Sequence, residues 1–163
     1  MGADPPLTAR EMHMGLEEQI QQILKEKGIP YEVKVHEPVY TNPAMAEALG
    51  VSEAETVKSL VLATREGAMI VMVLPGDRRV DWKALAKAAG SRKVSFAKPE
   101  AVRETVGCEV GCVPPFGHFS GMRVYMDPDL VQIPHIYFNP GVHDKSYKIP
   151  GSALEELCRP VYV

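Results

Sequence analysis

Three stretches of this 163-residue sequence carry residues that could do chemistry: a lysine at the head of an apolar run, a glycine- and proline-rich loop, and a late Asn-Pro-Gly-Val-His segment. Lys58 stands in Val57-Lys58-Ser59-Leu60-Val61. Period-two alternation places it on the face of Leu60 and Leu62, with Val57, Val61 and Ala63 opposite, so both faces read as covered. A lysine there either carries its ammonium to the sheet edge or directs it into a pocket, and the pattern leaves both open. The loop reads Gly111-Cys112-Val113-Pro114-Pro115-Phe116-Gly117-His118. Its glycines let main-chain N–H groups approach a ligand closely, while Pro114 and Pro115 remove donors and stiffen the path. That combination suits a cradle for an oxyanion or an amine; it also suits a turn that simply crosses between elements. The third stretch, Phe138-Asn139-Pro140-Gly141-Val142-His143, adds a polar amide and an imidazole. His36 and His118 are further imidazoles that could border the same cleft, and Asp144 reads as a turn cap.

Other chemistries find no footing. The sequence has no P-loop, no Gly-x-Gly-x-x-Gly, no Gly-x-Ser-x-Gly and no His-Glu-x-x-His. Cys108 and Cys112 could supply half of a metal site, but no second cysteine pair or His-x3-His follows. With Cys158 they make an odd number, which fits free thiols better than a disulfide framework. A thiol-based regulator would need Cys108 and Cys112 on one helical turn, and the glycines around them argue against a helix. The net charge of −3 counts against a broad phosphate-gripping surface, so any nucleic acid is expected to be held locally. No apolar stretch approaches the roughly 20 residues of a membrane span. The first ten residues lack a basic segment followed by an apolar run, so no secretory leader is expected and the cytoplasm is the default compartment.

These residues must be held by elements that the sequence marks out. Thr8 and Glu11 have capping-box spacing, and Met12, Leu16, Ile20, Ile23 and Leu24 then share one helical face that Gly28 ends. A short strand is expected over 29–36, then Asn42-Pro43 as an N-cap with proline at the first helical position, the helix ending at Gly50. The best sheet signal is the pair 56–64 and 68–74 around Arg65-Glu66-Gly67. Asp81 is placed to cap a helix that turns Leu85, Ala86 and Ala89 inward and ends at Gly90. A strand at 93–96, a helix at 99–106 and a shaped loop over 107–121 follow. Three more strands are expected at 123–126, 135–138 and 146–149, and then a last helix with Ser152 and Glu155 as a second capping box. Strands clustered by short turns favour a mixed, largely antiparallel sheet with helices packed outside.

Taken in order, Val57-Lys58-Ser59-Leu60-Val61, the stretch from Gly107 through Gly111-Cys112-Val113-Pro114-Pro115-Phe116-Gly117, and Phe138-Asn139-Pro140-Gly141-Val142-His143 resemble the YbaK and prolyl-tRNA-synthetase-associated editing domains. The resemblance spans about 29–157. It implies an α+β fold with a mixed, largely antiparallel, barrel-like sheet surrounded by helices. With no internal repeat or long linker, the chain then reads as a single editing domain over 1–163, with an N-terminal helix at 8–28. Members of that family hydrolyse the ester joining a wrong amino acid to the tRNA 3′ end, without metal or covalent intermediate, so no cofactor is implied. The family's essential lysine falls on Lys58, its Gly-x-x-x-Pro loop on Gly111 to Pro115, and its late Gly-x-His feature on Gly141-Val142-His143. Lys58 is then expected to anchor the terminal phosphate or polarise the ester carbonyl, with amides around Gly111 and Val113 facing the developing oxyanion. Cys112, Pro114, Pro115, Phe116, Gly117, His118, His36, Asn139, Gly141 and His143 are the expected substrate contacts. Cys112 departs from the second glycine often found in the loop, and its side chain is expected to narrow the pocket or to alter how the amino acid is held. The implied partner is the 3′ end of an aminoacyl-tRNA, with an aminoacyl-tRNA synthetase as a second candidate. The competing reading is a non-catalytic module on the same fold that binds an RNA end or a synthetase.

Overall fold

Helix α1 (Leu16–Glu26) buries Ile20 and Leu24 completely and packs Leu16 and Ile23 on the same core. It belongs to a computed structural model of the chain that describes residues 15–163. The Thr8–Glu11 box and Met12 lie outside that range. Gly28 ends the helix at φ 65°, as its position after the last apolar residue requires.

Strand β1 (Glu32–Val35) leads to helix α2 (Asn42–Leu49). The cap here differs from expectation: Thr41 is extended and its side chain accepts the Ala44 N–H at 3.2 Å, while Asn42 is already helical. The Asn42 amide is thereby free for other work. A 3₁₀ turn (Glu53–Glu55) carries a complete capping box between Ser52 and Glu55, a Ser-x-x-Glu pattern that was not among the expected caps. The central hairpin follows, β2 (Val57–Thr64) and β3 (Met69–Pro75), joined over Gly67 at φ 94°. Asp81 caps α3 (Trp82–Ala89) by accepting the Ala84 N–H at 3.1 Å, and Gly90 ends it. Strand β4 (Val94–Phe96) and helix α4 (Pro99–Val106) lie where the sequence puts them, as do β5 (Arg123–Met126), β6 (His135–Phe138) and β7 (Lys145–Pro150).

At the last helix, α5 (Ala153–Cys158), the expected Ser152–Glu155 box does not form. Ser152 is itself in the helical region (φ −59°, ψ −23°), so its hydroxyl makes no cap bond, and Glu155 accepts the Tyr162 hydroxyl at 3.0 Å instead. Tyr162 belongs to a short final strand, β8 (Val161–Tyr162), that the sequence reading did not contain.

The strands form two sheets, ordered β1-β7-β6 and β4-β2-β3-β5-β8, bridged where Thr56 meets Tyr137. The β3–β5 and β5–β8 pairings are parallel and the other four antiparallel, which is the mixed, largely antiparallel α+β organisation expected. The alternation along β2 also holds. Val57 and Val61 enter the large core with Ile136, Phe138 and Tyr147, while Leu60 and Leu62 pack in a smaller core under Leu85 of α3. Among the described residues no helix is long and apolar enough to cross a membrane.

Candidate functional site

A cleft of about 630 Å³ opens where the start of β2, the N-terminus of α2, the segment after β4 and the glycine-rich loop meet. One wall is β2 from Val57 to Val61, with Lys58 and Ser59 in the middle. A second is Tyr40, Thr41 and Asn42. Phe96, Ala97, Pro99 and Val102 make a third, and Val110, Gly111 and Val113 close it with Asn139 at the side.

Lys58 is half-buried, and its ammonium donates to the Arg78 carbonyl at 2.7 Å. That carbonyl sits in a turn that is itself clamped. The Arg78 guanidinium bonds Asp127 at 2.8 Å and Asp129 at 2.7 Å, and these two carboxylates, Asp129 first, raise its pKa further. The lysine thus has a defined direction along the cleft wall.

The loop presents backbone to the cleft. Gly111 adopts φ 91°, a conformation side chains rarely take, and sits beside the Tyr40 carbonyl. The Cys112 N–H is taken by the Glu109 carbonyl at 3.0 Å. The N–H groups of Gly111 and Val113 on either side have no hydrogen-bond acceptor among the described residues. Gly111 is exposed and Val113 buried, so two main-chain donors without a protein acceptor stand beside one cleft, an arrangement that can receive an oxygen gaining negative charge.

The other end of the cleft is fixed by Asn42. Its Nδ2 donates to Thr56 Oγ1 at 3.0 Å and to the Val57 carbonyl at 3.2 Å, and the fully buried Thr56 hydroxyl donates onward to the Glu53 carbonyl at 2.7 Å. Gly76 completes this junction: a Cβ there would collide with Thr56 Oγ1 and come within 2.7 Å of the Glu53 carbonyl. The sequence marked Asn42 only as a helix cap. Its role here, like those of Tyr40, Thr41 and Ser59, depends on contacts that no local pattern encodes.

Of the expected site residues, the cleft brings together Lys58, Gly111, Val113 and Asn139. Cys112 is 1% exposed and turns away from the cleft, its Sγ 3.0–3.1 Å from the ring nitrogens of His143, so it does not narrow the pocket. The His143 Nδ1 lies 3.1 Å from the Val39 carbonyl, and its ring packs on Tyr40 with centroids 4.4 Å apart. A proton on Nδ1 satisfies Val39 and leaves Nε2 to accept the Cys112 thiol proton. That thiol stays protonated because burial, and then Glu109, push it up to about 11. Burial likewise lifts Cys108 to about 12, which leaves no thiolate for a regulator to use at neutral pH. His143 therefore braces the cleft from behind the loop.

Pro114 and Pro115 are buried, and Phe116 packs in the core against Phe138. Gly117 is there because a Cβ would meet Val71 and Val124 at 2.8 and 3.1 Å. His118 lies in a 3₁₀ turn (Gly117–Ser120). His36 bonds the buried Ser146 hydroxyl at 2.7 Å and the Glu37 carbonyl at 2.8 Å, away from the cleft. Gly141 approaches Leu16 of α1, and its N–H is held by the Asn139 side chain at 2.9 Å. Among the described residues no three His, Cys, Asp or Glu side chains are grouped to hold a metal.

The profile of a family described as "Aminoacyl-tRNA editing domain" matches residues 36–157. A "Multifunctional Ser/Thr-tRNA deacylase ProXp-y" of Escherichia coli (strain K12) is 28% identical over 145 residues, covering 86% of this chain and 87% of that protein. A "Prolyl-tRNA editing protein ProX" of Acetoanaerobium sticklandii is 27% identical over 154 residues, covering 91% and 93%. Among solved structures, the crystal structure of the hypothetical protein APE2540 superposes with a TM-score of 0.80 at 27% identity, covering 88% of this chain and 95% of that one.

Proposed function

We propose, from the premise that the chain belongs to the aminoacyl-tRNA editing domain family, that it hydrolyses the ester of mischarged aminoacyl-tRNA in trans. The observation that carries this reading is the meeting of Lys58 with the unpaired Gly111 and Val113 amides around one cleft. An aminoacyl ester is already activated, so attack by water needs positioning and charge stabilisation more than a protein nucleophile. Lys58 stands where an ammonium can polarise the ester carbonyl or hold the terminal phosphate. The loop amides receive the oxygen as the tetrahedral intermediate forms. The substrate's ribose hydroxyl can orient the attacking water.

The names of the two relatives, a Ser/Thr-tRNA deacylase and a prolyl-tRNA editing protein, support a small amino acid as the group removed. The apolar lining around Val102 and Val113 suits modest discrimination, because one methylene in such a pocket is worth only about 1–3 kcal/mol. A synthetase is the natural delivering partner in this scheme. The test is a screen of mischarged tRNAs, beginning with alanyl-, cysteinyl-, seryl- and threonyl-tRNA, with the parent and Lys58→Ala in parallel. The expected result is hydrolysis of at least one by the parent and its loss in the variant. Tight tRNA binding with no hydrolysis would replace the enzyme with a binding module on the same fold.

A further inference from the structure

Strand β2 is a central strand for only half its length. Its pairing with β4 covers Leu62, Ala63 and Thr64 alone, and between that pairing and the Thr56–Tyr137 bridge to β6 it has β3 on one side and the cleft on the other. The parity of the hairpin ladder decides which main-chain groups face the open side. Gly76 N–H donates to the Thr56 carbonyl and Thr64 N–H to the Ala68 carbonyl, each at 2.8 Å, so even-numbered residues make the bonds to β3. Pro75, opposite Val57, has no N–H to offer. Odd-numbered residues therefore turn both N–H and C=O away from β3. Two carbonyls on that side are occupied, Val57 by the Asn42 amide at 3.2 Å and Val61 by the Ala97 N–H at 3.1 Å. Ser59 lies between them, and neither its N–H nor its C=O has a partner among the described residues.

We propose that this one-residue length of open edge, the main-chain N–H and C=O of Ser59, docks the nucleobase at the 3′ end of the tRNA. The proposal rests on the deacylase reading and says which atoms hold the terminal adenosine. An open strand edge is a template for pairing, but a gap bounded by Asn42 and Ala97 is too short for a peptide to add as a strand. A single planar group fits it. The edge offers a donor beside an acceptor. Adenine answers with a ring nitrogen that accepts beside an amino group that donates, both fixed in one plane, whereas the aminoacyl group carries its α-ammonium and ester oxygen on rotatable bonds. Asn42 and Ala97 act as the stops that keep the neighbouring carbonyls from competing.

The test combines an altered strand with altered bases. Proline at 59 removes an N–H that points away from β3, so Ser59→Pro deletes one contact without breaking the ladder. With a tRNA the parent deacylates, loss of the terminal amino group (purine riboside in place of adenosine) should lower kcat/KM by roughly 3- to 10-fold. A 1-deaza or a 7-deaza terminus should cost the parent a similar factor and cost Ser59→Pro nothing more. In parallel, the ¹⁵N-labelled parent is titrated with the trinucleotide CCA, and the Ser59 amide resonance should move. Equal turnover of all four termini by the parent, or equal deaza sensitivity in parent and variant, overturns the proposal. If Ser59→Pro does not fold, the analogue series on the parent decides. If the parent deacylates nothing, the function reading fails on its own. The CCA titration then still decides the edge, an unmoved Ser59 amide overturning it.

Discussion

The front and the back of the glycine-rich loop are built in opposite ways. At the front stand the Lys58 ammonium, held by the Arg78 carbonyl, and two amide donors without acceptors among the described residues, at Gly111 and Val113. At the back, Cys112, His143 and the Val39 carbonyl satisfy one another, with Cys112 buried and His143 half-buried. The side chains most often associated with catalysis, a thiol and an imidazole, are the ones turned inward. Main chain and one lysine are turned outward. Stabilisation of a developing charge asks for fixed donors that are free until the moment of reaction, and a satisfied Cys–His contact cannot supply that. It can hold the loop still.

The contrast is broken or sharpened first by Lys58→Ala. Losing one such stabilising donor costs roughly 10²–10³ in rate. The variant should unfold at nearly the parent's denaturant concentration, since the single hydrogen bond to Arg78 is exposed. Retained single-turnover deacylation would remove Lys58 from the chemistry. Gly76→Ala tests the junction at the other end of the cleft. The new methyl collides with the Asn42–Thr56–Glu53 network, and overpacking of this kind costs about 1–3 kcal/mol. Urea denaturation should register that loss, with KM rising as Asn42 leaves the cleft wall. His143→Ala should show the reverse of Lys58→Ala: about 1–3 kcal/mol of stability lost as the Val39 carbonyl is left unpaired, and kcat close to the parent's in the folded fraction. A hundredfold fall in kcat with unchanged stability would move His143 to the front.

How much of this was legible in the sequence follows from the range of the contacts involved. The β2–β3 hairpin, the Asp81 cap and the Gly90 stop are local patterns, and the structure has each of them. Two Ser-x-x-Glu patterns show where locality ends. Ser52 forms its box and Ser152 does not, because Ser152 is already helical and Glu155 is drawn to Tyr162 from the final strand. The site divides the same way. Lys58 could be placed on a strand and a face by alternation, and glycines at 111 and 117 could be marked as special. That Gly111 serves the cleft while Gly117 makes room for Val71 and Val124 is a matter of tertiary packing. Ser59 carries no side-chain signal at all, since its exposure depends on where β4 stops pairing, more than thirty residues later in the chain.

The smallest expected effect bears on the back of the loop alone. The Cys112 thiol is raised from 9.0 to about 11 in the folded protein, burial first and Glu109 second. A raised pKa means that the folded state keeps a proton the unfolded chain gives up, so the contribution is fully present below pH 9 and drains away as pH climbs towards 11. At pH 10 the loss from this one group is about 1 kcal/mol. Comparing urea midpoints at pH 7.5 and pH 10, Cys112→Ala should therefore lose less on the alkaline side than the parent does. Part of the slope remains, because Cys108 is raised in the same direction. If parent and variant fall equally, the thiol is not held in its protonated form by its surroundings. The closed Cys112–His143 contact would then have to be given up as the brace behind Gly111 and Val113.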